Sequence, residues 1–103
     1  MIITFSRNAV PIRLTRERWQ HIKRRHPEMQ RQRAKVLETI STPDMILRGD
    51  FGELLAARLY SRTPLTRKYL IAAHKELSAQ DGFVITTYLT NALSRRRKVL
   101  WKR

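Results

Sequence analysis

The chain of 103 residues contains no cysteine, which excludes disulfide bonds and thiolate metal sites. It also lacks any apolar run of about 18 residues, the length that a membrane-spanning helix needs. The N-terminal stretch MIITFSRNAV has no basic region before its short apolar run, so it makes a poor signal peptide. These absences predict a cytoplasmic protein that has no membrane partner.

Acidic residues are scarce, since 8 Asp and Glu stand against 22 Lys and Arg, for a net charge of +14. The excess lies at the two ends: residues 1–40 hold ten basic and three acidic residues, 41–90 hold six and five, and 91–103 hold six and none. Such a charge predicts a polyanionic partner, with nucleic acid first and an acidic protein second. An anionic membrane surface is a weaker alternative, because the basic segments are not strongly amphipathic. The remaining alternative is that the charge serves only solubility.

The length and composition fit one globular domain over residues 1–103 with a modest core. Residues 1–5 are expected to form a short first strand. Thr15 is the expected N-cap of a helix over Arg16–Arg25, which Pro27 ends by restricting His26. Pro27 can then open a second helix, which the sequence STPD at 41–44 stops.

The second half of the chain reads as strands. They are expected at 45–48, 53–61, 67–77 and 83–90, with an Asp-Gly hairpin signal at 81–82. The segment KVLW near the C-terminus is either an edge strand or a short helix. No crossover helix separates these strands, so antiparallel pairing is favoured. The predicted fold class is α+β, with two N-terminal helices packed on an antiparallel sheet of four to five strands.

Strand alternation predicts which side chains share a face. Phe83, Ile85, Thr87 and Leu89 form the better core face of the last long strand. If Leu55 and Ala57 also point inward, the opposite sheet face gathers side chains that suit phosphates and bases. This set comprises Arg58, Tyr60, Thr86, Tyr88 and Thr90. The alternative is an ordinary solvated face, because threonine and tyrosine are good strand formers.

The two histidines of the first helix fall on different sides of it. His26 shares a side with Trp19 and Ile22, which predicts a buried, hydrogen-bonded histidine. His21 lies opposite, beside Arg18 and Arg25, where it can meet a ligand among cations. An ordinary surface histidine is the alternative for His21. A metal site is disfavoured because the spacing is five and the third ligand would have to be His74 or Glu28, so neither a metal nor another cofactor is predicted.

Three segments together resemble a known family. They are LTRERWQHIKRRHPEM at 14–29, ETISTPDMILRGDFGELLAARLY at 38–60 and KYLIAAHKELSAQDGFVITTYLT at 68–90. Their order is similar to that of small bacterial and phage proteins of the barnase–EndoU–colicin–RelE-like (BECR) ribonuclease group. The resemblance implies N-terminal helices on an antiparallel sheet and a metal-independent endoribonuclease, often a toxin. The matching positions are His21, His26, Arg58, Lys68, Thr86, Tyr88 and Thr90.

The function hypothesis follows from what RNA cleavage needs without metal: a base, an acid and fixed donors for the phosphate. His21 is expected to move the proton, with His26 or Tyr88 as partner. Arg58 and Lys68 are expected to bind the phosphate, with Thr86 and Thr90 as orienting donors. Further RNA contacts are expected from cations on the first helix and near the C-terminus, namely Arg18, Arg25, Arg95, Arg96, Arg97 and Lys98.

Two other functions stay open. The chain can be a non-catalytic basic module that binds nucleic acid, with the histidines as bystanders. It can also be the target of an acidic antitoxin or inhibitor protein, which is compatible with the ribonuclease hypothesis.

Overall fold

The computed structural model describes all 103 residues. Its elements in chain order are β1 (Ile2–Phe5), β2 (Pro11–Leu14), α1 (Arg16–Arg25), a 3-10 turn (Pro27–Met29), α2 (Arg33–Ser41), β3 (Met45–Arg48), β4 (Leu54–Tyr60), β5 (Lys68–Ser78), β6 (Asp81–Thr90) and β7 (Val99–Lys102). The α+β class and the two N-terminal helices are as predicted. No helix has the length and apolar character needed to cross a membrane.

Helix α1 has the predicted bounds because its local signals agree. The side chain of Thr15 accepts a hydrogen bond from the backbone N–H of Arg18 and caps the first turn. Trp19 and Ile22 are the buried residues of the helix. The helix ends at His26, whose φ of −132° and ψ of 77° leave the helical region ahead of Pro27.

The prediction that Pro27 opens the second helix is wrong. Pro27 begins only a 3-10 turn of three residues, and Arg31 then adopts a positive φ of 66°. Helix α2 starts at Arg33, so the buried Met29 reaches the core from the turn and not from a helix. The reversal at Arg31 lets α2 leave in a new direction.

The seven strands form one sheet in the order β1-β2-β6-β5-β4-β3-β7. All neighbours are antiparallel except β2 and β6, which are parallel and meet at a single residue pair, Arg13 with Phe83. The predicted count of four to five strands and the purely antiparallel sheet are therefore corrected. Strand β2 is not evident from the sequence pattern, because it has four residues and begins with proline. A parallel pair needs a long connection, and both helices and strands β3 to β5 lie between β2 and β6 along the chain.

The β5–β6 hairpin forms, but its turn lies two residues earlier than Asp-Gly. Ser78 pairs with Asp81, so Ala79 and Gln80 make the turn and Gly82 lies inside β6. A Cβ at Gly82 would lie 2.5 Å from the carbonyl oxygen of Lys75 and 2.6 Å from Cδ1 of Ile12. The glycine thus allows β2 to approach β6.

Two apolar clusters lie on the two sides of the sheet. The larger lies between the sheet and the helices and includes Ile22, Met29, Val36, Leu70 and Val84. We call this side the helix face. The smaller has no helical member and consists of Leu47, Leu55, Ala57, Ile71 and Ala73. We call that side the helix-free face.

Candidate active site

The strand register decides which polar side chains share the helix-free face. Residues paired across antiparallel strands point to the same side of a sheet. Three rows of paired residues therefore lie on this face: Leu47, Leu55, Ala73 and Thr86; Met45, Ala57, Ile71 and Tyr88; Leu59, Tyr69 and Thr90. Thr86, Tyr88 and Thr90 share a face, as predicted.

A β-bulge in β6 corrects the rest of the predicted alternation. His74 pairs with Val84, but the next residue pair along β5 is Ala73 with Thr86, so β6 has one extra residue there. As a result Val84 belongs to the helix face and Ile85 packs with the helix-free cluster, the reverse of what strict alternation predicts.

Arg58 does not join these residues. It pairs with Leu70, a member of the cluster under the helices, so its side chain lies on the helix face. Its Nη1 donates to the carbonyl oxygen of Thr42 at 2.6 Å, and its Nε lies 3.4 Å from Oε1 of Glu38. The prediction that Arg58 and Tyr88 share one face is wrong. Arg58 on β4 points to the helix face, and Tyr88 on β6 points to the helix-free face.

Tyr60 shares this arrangement on the helix face. Its hydroxyl donates to Oε1 of Glu38 at 2.7 Å and lies 3.3 Å from Oγ1 of Thr39. Burial, and the neighbouring carboxylate of Glu38, raise the pKa of Tyr60 to about 12. Together, Arg58 and Tyr60 tie the last turn of α2 to β4.

His26 reaches Tyr88 at an uncovered edge of β6. Strand β2 is short and pairs with β6 at Phe83, near the start of β6, so the later residues of β6 have no strand beside them on that side. The end of α1 and the 3-10 turn pack against β6 instead. The ring centroids of His26 and Tyr88 are 5.8 Å apart, with 32° between the ring planes.

The geometry of His26 leaves one ring nitrogen open. Its backbone N–H donates to the carbonyl oxygen of Ile22 at 2.7 Å, which holds the residue at the helix end. Nδ1 lies 3.9 Å from Oε2 of Glu28, and the side chain is 32% exposed. Neither ring nitrogen makes a hydrogen bond, but Nδ1 faces the Glu28 carboxylate, so Nε2 is the nitrogen more open to a ligand. The prediction of a buried, hydrogen-bonded core histidine is therefore wrong.

A cleft of about 230 Å³ lies beside Tyr88 on the helix-free face. We call it the main cleft; it is lined by Leu47, Leu55, Ile71, Tyr88, Thr90, Ala92, Leu93, Ser94 and Arg97. Thr90 donates its hydroxyl to the carbonyl oxygen of Ala92 at 3.2 Å, which positions the connection that follows β6. An apolar floor with hydroxyls and one guanidinium at its rim suits a nucleotide.

Arg97 is held at this rim by the β3–β4 turn. Its Nη1 and Nη2 lie 3.0 and 3.4 Å from the two carboxylate oxygens of Asp50, and Nη1 also donates to the carbonyl oxygen of Arg48 at 3.3 Å. The Asp50 side chain is well exposed, so the pair is screened by solvent. A phosphate can therefore compete with Asp50 for this guanidinium.

The remaining predicted residues lie outside the main cleft. His21, Arg18 and Arg25 are exposed on the outer side of α1, and His21 makes no hydrogen bond or ion pair. Lys68 pairs with Tyr60, which places it on the helix-face side of β5. The structure thus does not bring His21 to Tyr88. The histidine that contacts Tyr88 is His26.

The cations of the β6–β7 connection surround two adjoining clefts. Arg95 lines one with Arg67 and Tyr69, while Arg96 and Lys98 line the other. Arg67 and Tyr69 were not among the predicted site residues. Tyr69 is recognisable only once its pairing with Thr90 is known.

His74 belongs to a separate, buried environment. Only 1% of it is exposed, and its Nδ1 lies 3.1 Å from the carbonyl oxygen of Ala72, the geometry of an N–H donated to that oxygen. Burial lowers the pKa of His74 below the usual 6.5. No group of three histidine or carboxylate side chains comes together as a potential metal site.

Comparison with known proteins identifies no relative. No family model matches the chain, and neither a curated protein nor a solved structure is detectably similar to it. The resemblance to BECR ribonucleases therefore stays a prediction from the three sequence segments.

Proposed function

We propose that this protein is a metal-independent endoribonuclease that binds RNA on the helix-free face and cleaves it beside His26 and Tyr88. The observation that carries the proposal is the pair itself. A partly exposed imidazole, with Nε2 unoccupied, lies against a phenol at the edge of a cleft that also holds Thr90 and Arg97. These are the kinds of group that metal-free RNA cleavage uses.

The proposed reaction begins at the 2′-hydroxyl of the RNA. Nε2 of His26 takes its proton, the 2′-oxygen attacks the adjacent phosphorus, and the bond from phosphorus to the 5′-oxygen breaks. The Tyr88 hydroxyl gives the proton that the leaving 5′-oxygen needs. The products are a 2′,3′-cyclic phosphate and a free 5′-hydroxyl. Arg97 stabilises the charge that develops on the phosphoryl oxygens, which is the usual role of a guanidinium at such a site.

The distribution of charge supports RNA as the polyanion. Arg67 and Arg95 flank one side of the main cleft, and Arg96 and Lys98 flank the other. Tyr69 and Tyr88 lie between them on the helix-free face, where their rings can stack on bases. A surface that alternates cations with aromatic rings is typical of single-stranded nucleic-acid binding.

The test incubates the purified protein with total tRNA and rRNA in EDTA and analyses the ends of the products. We expect cleavage with 2′,3′-cyclic phosphate ends in the wild type. His26→Gln should slow cleavage by about 10² to 10⁴-fold, the range for loss of a general acid or base. His21→Gln is the matched control and should cleave at the wild-type rate.

The proposal fails if EDTA abolishes wild-type cleavage, or if His21→Gln and His26→Gln have the opposite effects. An RNA carrying a 2′-O-methyl group has no proton to lose and no free nucleophile, so it should resist cleavage while still binding.

A non-catalytic RNA-binding module is the second candidate. It is favoured by one observation: only one of the two histidines in the first helical segment reaches the helix-free face. Intact RNA after long incubation, with tight binding that weakens steeply with salt, would support it against the ribonuclease. An acidic inhibitor protein stays a compatible proposal, since the same cations would attract it.

A further inference from the structure

The β3–β4 turn presents an exposed aromatic ring in a fixed conformation. Phe51 is 88% exposed, the most exposed large apolar side chain of the molecule. Its backbone N–H donates to Oε1 of Glu53 at 2.9 Å, and the N–H of Gly49 donates to the carbonyl oxygen of Glu53 at 2.8 Å. Gly52 supplies the positive φ of 81° that the turn requires. The turn is therefore ordered by its own hydrogen bonds, although nothing covers the ring.

A cationic cleft of about 330 Å³ lies at the base of this turn. We call it the arginine cleft; it is lined by Arg48, Gly49, Asp50, Ser94, Arg96, Arg97 and Lys98 and has no apolar lining residue. Four of these side chains are cations and one, Asp50, is a carboxylate that pairs with Arg97. Arg96 and Lys98 have no side-chain partner of opposite charge. Arg48 contributes its carbonyl oxygen to Arg97, and its pairing with Leu54 points its side chain to the helix face. A site of this composition suits phosphate oxygens and offers no apolar anchor to a protein.

The arginine cleft continues the main cleft. Ser94 and Arg97 line both. The main cleft reaches from Tyr88 on β6 to Leu47 on β3, three strand spacings or roughly 14 Å across the sheet, and the arginine cleft begins at the next residue, Arg48. At about 3.4 Å for each stacked nucleotide, some four nucleotides span that distance. One RNA strand can thus occupy both clefts.

We propose that the arginine cleft and Phe51 form a second subsite for the same RNA strand. Arg96 and Lys98 bind its phosphates beyond the cleaved bond, and the ring of Phe51 stacks on one of its bases. The inference rests on the proposed RNA binding of the helix-free face. It adds that the RNA substrate must extend several nucleotides beyond the cleaved bond.

The experiment measures binding by fluorescence anisotropy with labelled 2′-O-methyl RNA, which cannot be cleaved. Two single strands are compared, a dinucleotide and an oligomer of about ten nucleotides. Phe51→Ala should weaken binding of the long strand about 10-fold, the loss of one stacked base, and leave the dinucleotide unchanged. Phe5→Ala is the matched control, because Phe5 is an exposed phenylalanine, 58% exposed, on the edge strand β1.

The phosphate contacts are tested by salt dependence. The double variant Arg96→Ala/Lys98→Ala should lower the slope of log affinity against log salt by about 1.4, that is about 0.7 for each lost contact with a single strand. Arg33→Ala/Arg62→Ala removes the same net charge from exposed positions away from the cleft and should leave this slope nearly unchanged.

Three outcomes overturn the subsite. The first is an unchanged affinity of Phe51→Ala for the long strand, and the second is an equal loss for both lengths. The third is binding of an acidic polypeptide such as polyglutamate at the arginine cleft in preference to RNA, which would make it a protein site. Wild-type protein that binds RNA in this length-dependent way but never cleaves it would refute the ribonuclease and keep the subsite. If Phe51→Ala cleaved long RNA at the wild-type rate, the subsite would be refuted and the ribonuclease would stand.

Discussion

Arg58→Ala separates a structural role for this arginine from the catalytic role that the sequence suggested. The guanidinium lies on the helix face and bonds to the end of α2, away from Tyr88. We therefore expect the variant to lose stability and to keep its cleavage rate per folded molecule.

The magnitude follows from the two contacts that the substitution removes. The hydrogen bond from Nη1 to the carbonyl oxygen of Thr42, at 2.6 Å, has a charged donor, and such bonds contribute about 1.5–3 kcal/mol. Thr42 is exposed, so water can replace the lost donor and the lower end applies. The ion pair with Glu38, whose side chain is 49% exposed, adds about 0.5 kcal/mol or less. The expected loss in the free energy of unfolding is about 2 kcal/mol.

Thermal unfolding followed by circular dichroism measures this loss. For a domain of this size about 2 kcal/mol lowers Tm by roughly 8–16 °C. Cleavage should be assayed well below the lowered Tm, where the variant is folded. Arg62→Ala is the control, because the exposed Arg62 side chain makes no hydrogen bond or ion pair, and its Tm should not change. An unchanged Tm for Arg58→Ala together with lost cleavage would refute the reasoning and return Arg58 to the chemistry.

Two further predictions concern the interior. Because burial lowers the pKa of His74, the unfolded chain binds its proton more readily, so stability should fall as the pH drops below about 6.5, by at most about 1.4 kcal/mol per pH unit for one group. Urea unfolding at several pH values checks this, and a His74→Leu variant that retains the full slope would contradict it. Gly82→Ala should lower the free energy of unfolding by about 1–3 kcal/mol, because its Cβ meets the backbone oxygen of Lys75 at 2.5 Å. Gln80→Ala in the same hairpin is the control. Equal urea midpoints for the two variants would contradict the prediction.

Local signals account for the elements that the sequence predicts well. The bounds of α1 follow from Thr15 and Pro27, which act on their immediate neighbours through a side-chain cap and a steric restriction. The strand β6 follows from a β-branched and aromatic run, and β5 from a long, partly apolar run before the hairpin. Strand β2 has no such signal, because four residues that begin with proline read equally well as a loop.

The candidate site was only partly accessible to the same reasoning. Alternation correctly groups Thr86 with Tyr88, because the period of two holds beyond the bulge in β6. It cannot say that Arg58 on β4 faces the other way, since that depends on which residues pair across strands. The two histidines do lie on different sides of α1, with His21 exposed, but His26 is not the buried, hydrogen-bonded histidine that the helix pattern predicts.

By itself the sequence determined the charge of the molecule, the α+β class and the bounds of α1, because each depends on composition or on neighbours along the chain. Only the tertiary structure decided that His26 meets Tyr88 and that Arg58 does not. The physical reason is that β2 lies only beside the start of β6, so the rest of that edge is open to the end of α1. The extra residue in β6 then reverses the face to which each preceding residue of that strand points. Both features come from strand pairing over long sequence separations, which no local pattern encodes.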